Sequence, residues 1–394
     1  MEVRTLRKSD AEQAWELDSD AFHVPRERKQ SFLRWFEPGR AMGIFADRRL
    51  VAMTGAHGFG QFFGGRSVPM GGLASVAVAP DQRGKGHAQR VIRAVLDAMR
   101  ERGEVISSLF PAMTRLYRGL GWEVAGNFLY RTVSPRALQT LAAPEKGRVR
   151  PGGAEDMDAL RACYASFARG VNGFVDRPES WWRRAGEDLN ERSVFVAEDD
   201  RGDVEGYLVY RQVDGQYSSF GGPFRIRVDD LVARSRDAAL VLWRLLGSWA
   251  SQVEQIYYRG PAEDPLLLLL PEQEVQVAAE IRWMTRMVDA PGALAARGFP
   301  PGVEVEVDLA LRDPILAAND GRFVLSVSKG RGRLEPGGSG TLGLDVGAFS
   351  AIYTGWAPAE LLARSGRLEG GSPEQRAALD AAFSGPTPWM LDEF

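Results

Sequence analysis

Apolar residues recur at every fourth position through Val91, Val95 and Met99, with Ile92 and Leu96 beside them. That period makes one stripe on a helix packed against a sheet. A strand over 72–78 and a glycine-rich turn precede the stripe, and a strand over 105–109 follows it. Upstream, residues 3–6 read as a short strand. Ser9-Asp10-Ala11-Glu12 reads as a capping box opening a helix that carries Ala14, Trp15, Leu17 and Phe22. A second helix is predicted over 27–36, closed by Pro38-Gly39. Strands over 41–45 and 50–56 meet at Asp47-Arg48-Arg49, and 58–65 reads as a glycine-rich connection. Residues 126–133 predict a further strand.

The pattern breaks over 142–153, which reads as a linker. Helices are then predicted over 155–168 and 240–253, and strands over 193–197, 206–213, 225–232 and 266–270. Asp230-Leu231-Val232-Ala233 leads through Arg234-Ser235-Arg236-Asp237 into a long helix, much as Val76-Ala77-Val78-Ala79 does through its glycine turn. Either the chain holds an internal duplication in which only the first copy kept the glycines, or two ordinary strand–turn–helix units look alike. A third segment has a helix over 291–297, strands over 303–311 and 321–328, and a turn-rich stretch over 330–340. Residues 342–349 follow, with helices near 358–366 and over 373–383.

The 394 residues suffice for two or three domains. Lysine and arginine total 49 against 52 aspartates and glutamates, a net charge of −3. That balance gives no overall drive toward nucleic acid or an anionic membrane, and neither is expected as a partner. The single cysteine, Cys163, excludes an intrachain disulfide and has no neighbour that would lower its pKa. His23, His57 and His87 sit at no metal-ligand spacing, so no metal is expected. The N-terminus lacks an apolar signal core, and the apolar run over 266–270 is too short to span a bilayer. A cytoplasmic location is expected.

The turn Arg83-Gly84-Lys85-Gly86-His87-Ala88 has what a pyrophosphate needs: backbone amides converging at a helix N-terminus, glycines to shape the approach, and flanking cations. It fits neither a dinucleotide fingerprint nor a Walker loop, since Gly86 follows Lys85 where serine or threonine would be required. Val-x-Val-x-Pro-x-x-Arg-Gly-x-Gly-x-Ala resembles the acetyl-CoA motif of the GNAT acetyltransferase superfamily. The resemblance implies acetyl-CoA as co-substrate, with Val76 and Val78 facing the pantetheine arm. The amides of Arg83, Gly84, Lys85, Gly86, His87 and Ala88 would hold the pyrophosphate. Asp81 stands where many members carry Gln or Arg, which implies a less basic loop. Tyr117, in Leu116-Tyr117-Arg118-Gly119-Leu120-Gly121-Trp122, resembles the superfamily's Y-x-x-x-G-[FWY] segment. It would give the leaving thiolate a proton.

The whole chain resembles the Eis (enhanced intracellular survival) branch. Arg286-Met287-Val288-Asp289-Ala290-Pro291 and Leu342-Gly343-Leu344-Asp345-Val346-Gly347 carry that likeness beyond the first unit. It implies an α/β (α+β) fold of two tandem GNAT-like domains, the first active and the second degenerate, with a C-terminal domain like sterol carrier protein. The boundaries expected are 1–138, 139–290 and 291–394. It also implies a homohexamer built as two trimers. In that branch the terminal carboxylate, here on Phe394, reaches the first domain's active site as a base. Trp389, Met390 and Leu391 argue that this tail docks. Substrates implied are primary amines: aminoglycosides, polyamines or lysine side chains. A polycation calls for an acidic, aromatic pocket. Asp18, Asp20, Phe22, Trp35, Phe36 and Glu393 are candidates, with Asp20, Phe22, Trp35 and Glu393 preferred. The alternative function is a sterol- or lipid-binding protein acting through its C-terminal domain.

Overall fold

A computed structural model describes residues 1–213 and 223–394. The first unit runs β1 (Glu2–Thr5), α1 (Ala11–Phe22), α2 (Lys29–Trp35), β2 (Ala41–Ala46), β3 (Arg49–Phe63), β4 (Arg66–Val78), α3 (His87–Glu101), β5 (Ile106–Leu109), α4 (Thr114–Arg118) and β6 (Glu123–Val133). After α5 (Pro135–Gln139) come β7 (Arg148–Pro151), α6 (Met157–Ala168), β8 (Val175–Asp176), α7 (Glu179–Asp188), β9 (Ser193–Glu198) and β10 (Val204–Val213). Then follow β11 (Phe224–Ala233), α8 (Arg236–Gly247), β12 (Val253–Gly260), α9 (Leu266–Leu269) and β13 (Gln276–Met287). The third unit holds α10 (Ala290–Ala296), β14 (Val305–Arg312), β15 (Gly321–Ser328), β16 (Arg331–Pro336), β17 (Leu342–Asp345), α11 (Val346–Thr354), α12 (Ala359–Arg364), β18 (Leu368–Gly370) and α13 (Pro373–Ala382).

The apolar stripe of α3 is buried as its spacing required: Val91, Ile92, Val95, Leu96 and Met99 are all enclosed. Each such side chain contributes about 1.5–3 kcal/mol on leaving water. One mixed sheet serves both of the first two units, in the order β1-β2-β3-β4-β5-β13-β6-β12-β11-β10-β9-β7, with β8 on β3. The pair β4–β5 is parallel and joined by α3, and β11–β12 is parallel and joined by α8. The same crossover therefore occurs twice, as a duplication requires. Where the first copy has its glycine turn, the second has Ser235, whose side chain accepts from Ala238 N at 3.2 Å and caps α8.

β13 lies between β5 and β6 and is antiparallel to both, Met284–Met287 facing β5 and Gln276–Thr285 facing β6. Arg286, at its end, is wholly buried. It pairs with the equally buried Asp313 at 2.7 Å and donates to Leu120 O at 2.5 Å. The third unit has a separate sheet, β16-β15-β14-β17-β18. Every residue of α11 is buried, because this helix packs on β17 and also on β6 and β13. Its core merges with Phe63, Met70 and Trp283 of the large sheet.

Five expectations need correction. The helix expected over 240–253 is α8, Arg236–Gly247, and Val253 already opens β12. The cap at the first helix is not the Ser9 box. The Asp10 carboxylate accepts from Arg7 N at 2.7 Å and is gripped by Arg4, closing a 3-10 turn over Lys8–Asp10 before α1. Most of 58–65 is strand rather than connection. β3 continues to Phe63, and only Gly64 and Gly65, with φ of 57° and 81°, make the turn. The apolar run after Pro265 is helix α9. Residues 331–336 form β16, paired along its length with β15.

Candidate functional site

The site begins where two parallel strands part. Only Met70–Gly72 of β4 pairs with Ile106–Ser108 of β5. Beyond Gly72, β4 runs on to Val78 with no partner on the β5 side among the described residues, which leaves a fork along Val76 and Val78. Ser75 and Val76 together face Thr54 across a bulge in the β3–β4 register, and Ser75 adopts φ 53°. At the mouth of the fork the chain turns into α3. Gly84 and Gly86 have φ of 77° and 75°, with open space where a Cβ would lie. These glycines serve backbone angle rather than packing. They bring the loop amides to the N-terminus of a 15-residue helix, whose dipole favours anions.

Lys85 Nζ reaches Asp81 O at 3.1 Å and the Gln82 side chain at 3.0 Å. Asp81 itself is held by two 2.9 Å bonds from Arg49, which keep its carboxyl far below the usual range. Its charge is thus answered by Arg49 rather than by the loop. His87 is buried at the first turn of α3, and neither ring nitrogen has a partner among the described residues.

Tyr117, on α4, is 6% exposed. It packs in one cluster with Leu73 of β4, Ile92 and Leu96 of α3, and Leu109 of β5, with Val76 against them. These elements bound the fork. The ring meets Trp122 edge-on at 6.2 Å. Burial pushes its hydroxyl up to about 12, so it keeps its proton across the physiological range.

The tail is tied down. Trp389 N donates to Asn172 O at 3.0 Å, and Trp389 bridges to Asn127 of β6. Asp392 is clamped by Arg177 at 2.8 Å and by the Tyr164 hydroxyl at 3.0 Å. The Phe394 ring lies 5.1 Å from Phe59 and 5.8 Å from Phe110. A Cβ on Gly72 would come within 2.8 Å of that ring, so the tail ends where the fork opens.

Between the tail and the first unit lies a cavity of about 510 Å³, bordered by Asp18, Phe22, His57, Ser75, Trp181, Arg184, Glu393 and Phe394. It adjoins a second of about 230 Å³ that shares Asp18, His57, Ser75 and Arg184 and adds Arg28, Trp35, Phe36, Glu37 and Arg40. Asp18 is 7% exposed and its Oδ1 has no partner among the described residues. Burial raises its pKa, and the Ser75 side chain offsets part of that rise. Burial, then Arg184, then Arg40 push the His57 imidazole down to about 4. The ring is therefore neutral at neutral pH.

Of the residues expected to face a substrate, Phe22, Trp35 and Glu393 border this cleft. Asp20 does not. It pairs with Arg26 at 3.4 Å and borders a separate cavity of about 140 Å³ with Val78 and Arg83. Asp18 and Phe22 stand one helical turn apart on the same face of α1, whereas Asp20 points elsewhere. That spacing was a usable signal for preferring Asp18. His57 and Ser75 carry no local motif and went unread.

The chain is similar to known acetyltransferases along its length. Residues 2–125 and 173–287 each match an Acetyltransferase (GNAT) domain, and residues 290–391 match a Sterol carrier protein domain. An uncharacterized N-acetyltransferase of Streptomyces griseus is 30% identical over 383 residues, covering 90% of this chain and 89% of that protein. N-acetyltransferase Eis of Mycobacterium tuberculosis is 28% identical over 341 residues, covering 82% and 79%. The crystal structure of a GCN5-related N-acetyltransferase from Anabaena variabilis superposes with a TM-score of 0.93 at 28% identity, covering all of both chains.

Proposed function

The chain belongs to the Eis-like branch of the GNAT N-acetyltransferases, and from that premise we propose how its residues move an acetyl group from acetyl-CoA to a primary amine. Val76 and Val78 receive the pantetheine arm along the open edge of β4. Arg83, Gly84, Lys85, Gly86, His87 and Ala88 hold the pyrophosphate at the N-terminus of α3. Asp18 and Glu393 hold the acceptor as an ammonium, with Phe22 and Trp35 walling the cleft. The Phe394 carboxylate takes one proton through water, because a group with pKa near 3.5 is a weak direct base. The freed amine attacks the thioester carbon. The C–N bond forms, the C–S bond breaks, and Tyr117 gives its proton to the departing thiolate. Nitrogen sheds a second proton to solvent, and Tyr117 is reprotonated from there. Amide and free CoA thiol leave.

The observation that carries this reading is the Tyr117 ring packed in the fork that the glycine loop opens onto. Burial keeps the Tyr117 proton in place up to about pH 12, so the donor is protonated when the thiolate forms. Tyr117→Phe is expected to lower kcat by about a hundredfold while acetyl-CoA binding survives, with thiol release and calorimetry as the readouts. A wild-type kcat in that variant removes the donor role.

The lipid-carrier alternative is not favoured. The interior of the third unit holds Arg297, 1% exposed, over the rings of Phe299, Tyr353 and Phe383 at 4.9 Å each. A sterol would have to displace that cluster. A cytoplasmic location and a homohexamer go with the proposal.

A further inference from the structure

The acceptor cleft carries both signs of charge. Of its two cavities, Glu393 and Phe394 border the larger, while Asp18 and Arg184 border both. Arg192 also borders the larger and pairs with Asp229 at 3.5 Å. Arg28, Arg40 and Arg184 border the smaller. These three arginines are not equivalent. Arg40 is committed: its Nε donates to Ala56 O at 2.7 Å, its Nη2 pairs with the buried Glu104, and Glu37 lies 3.7 Å away. Arg28 and Arg184 make no ion pair or side-chain hydrogen bond among the described residues, and both are exposed to the cleft.

Nearby acids do not cancel them. Glu187 of α7 is taken by Arg34 at 2.7 Å, and Asp20 of α1 by Arg26. Of the two carboxylates that border the smaller cavity, Glu37 answers Arg40, and Asp18 faces both cavities. The charge of Arg184 also reaches the cleft's centre, since it helps to keep the His57 ring unprotonated. A polycation would bring like charge against two unpaired guanidinium groups, a juxtaposition that opposes binding. A guanidinium offers a planar fork matched to an oxyanion.

We propose that the acceptor is a primary amine that also carries an oxyanion, a carboxylate or phosphate, held by Arg28 and Arg184 while Asp18 and the tail carboxylates hold the amine. This narrows the substrate class and rests on the acetyl-transfer reading above. Arg28 and the tail border different cavities, with Arg184 between them, so the two ends of one zwitterionic molecule are distinguished and the end that meets the thioester is fixed.

The test uses the full chain and thiol release from acetyl-CoA. Acceptors are alkyl amines of matched length in four forms: plain, ω-carboxylate, ω-phosphate and ω-ammonium, together with an aminoglycoside. An oxyanion-bearing form is expected to exceed the plain amine in kcat/KM by about tenfold, with the diamine lowest. Whether carboxylate or phosphate ranks first identifies the anion. Arg184→Gln and Arg28→Gln, both at exposed positions, should each shrink that ratio toward one, and Arg184→Glu should turn preference toward the diamine. A diamine or aminoglycoside ranking first overturns the inference and leaves acetyl transfer standing. A preference that survives both glutamine variants overturns the role of the arginines. Thiol release from no amine at all, with acetyl-CoA binding intact, defeats the acetyl-transfer reading itself.

Discussion

Gly72 shapes the site by having no side chain. It is the last residue of β4 paired with β5, and the rings of Phe59 and Phe394 occupy the space a Cβ would need. Gly72→Ala is expected to displace the Phe394 ring, lowering kcat by about tenfold or more at a stability cost of about 1–3 kcal/mol. Parallel kinetics and thermal unfolding check this, and full activity would show that the tail tolerates the shift. His57 makes a second prediction at this scale. Its folded pKa of about 4 lies below the unfolded value near 6.5, so as pH falls the unfolded chain binds the proton first. The stability it contributes is present above about pH 6.5 and is lost as pH falls through about 4. His57→Asn should flatten that slope by about 1–2 kcal/mol for this half-buried ring, measured by denaturant unfolding from pH 7 to 4. Asp10, held low by its bonds to Arg4, loses its share only at lower pH. The glycine loop and Tyr117 were legible because each sits in a contiguous motif. Asp18, His57 and Ser75 come from α1, β3 and a bulge in β4, and only folding brings them to one cleft.

At the scale of elements, local pattern identified helices better than strands that cross units. The stripe of α3 left one solution. The stretch 58–65 looked like a loop because its glycines hide the strand's alternation. They are there because other groups approach: Ser67 and Asp176 at Gly60, and the backbone of Gly298 at Gly64. Five leucines after Pro265 had no period to separate helix from strand, and the Asp264 carboxylate, accepting from Leu266 N at 2.9 Å, decided for helix. β13 carries the junction of all three units at Arg286. Arg286→Ala leaves Asp313 buried and charged, and is expected to cost about 3–5 kcal/mol in denaturant unfolding. The paired change Arg286→Met with Asp313→Leu should recover most of it. If the single variant costs under about 1 kcal/mol, the pair does not hold the junction.

At the scale of the molecule, the order of units along the chain was legible, because each unit has its own internal pattern. Their interlocking was not. The pairing of β13 with β5 and β6 joins segments more than 140 residues apart from β6, and no local spacing encodes that. The same holds for the tail, whose apolar residues announced docking without saying where. The three units therefore share packed cores, and the second strand–helix crossover has a Ser235 cap where the first has its glycine turn.

That placement of β13 has a consequence during synthesis. A leading domain ordinarily folds as it leaves the ribosome, but here the sheet that holds β4 and β5 lacks an interior strand until residues 276–287 emerge. Between Val133 and Gln276 the ribosome spends roughly 7–30 s at ordinary elongation rates. Through that interval β5 and β6 have no strand between them, and a first unit expressed alone, without residues 276–287, is expected to expose those two edges.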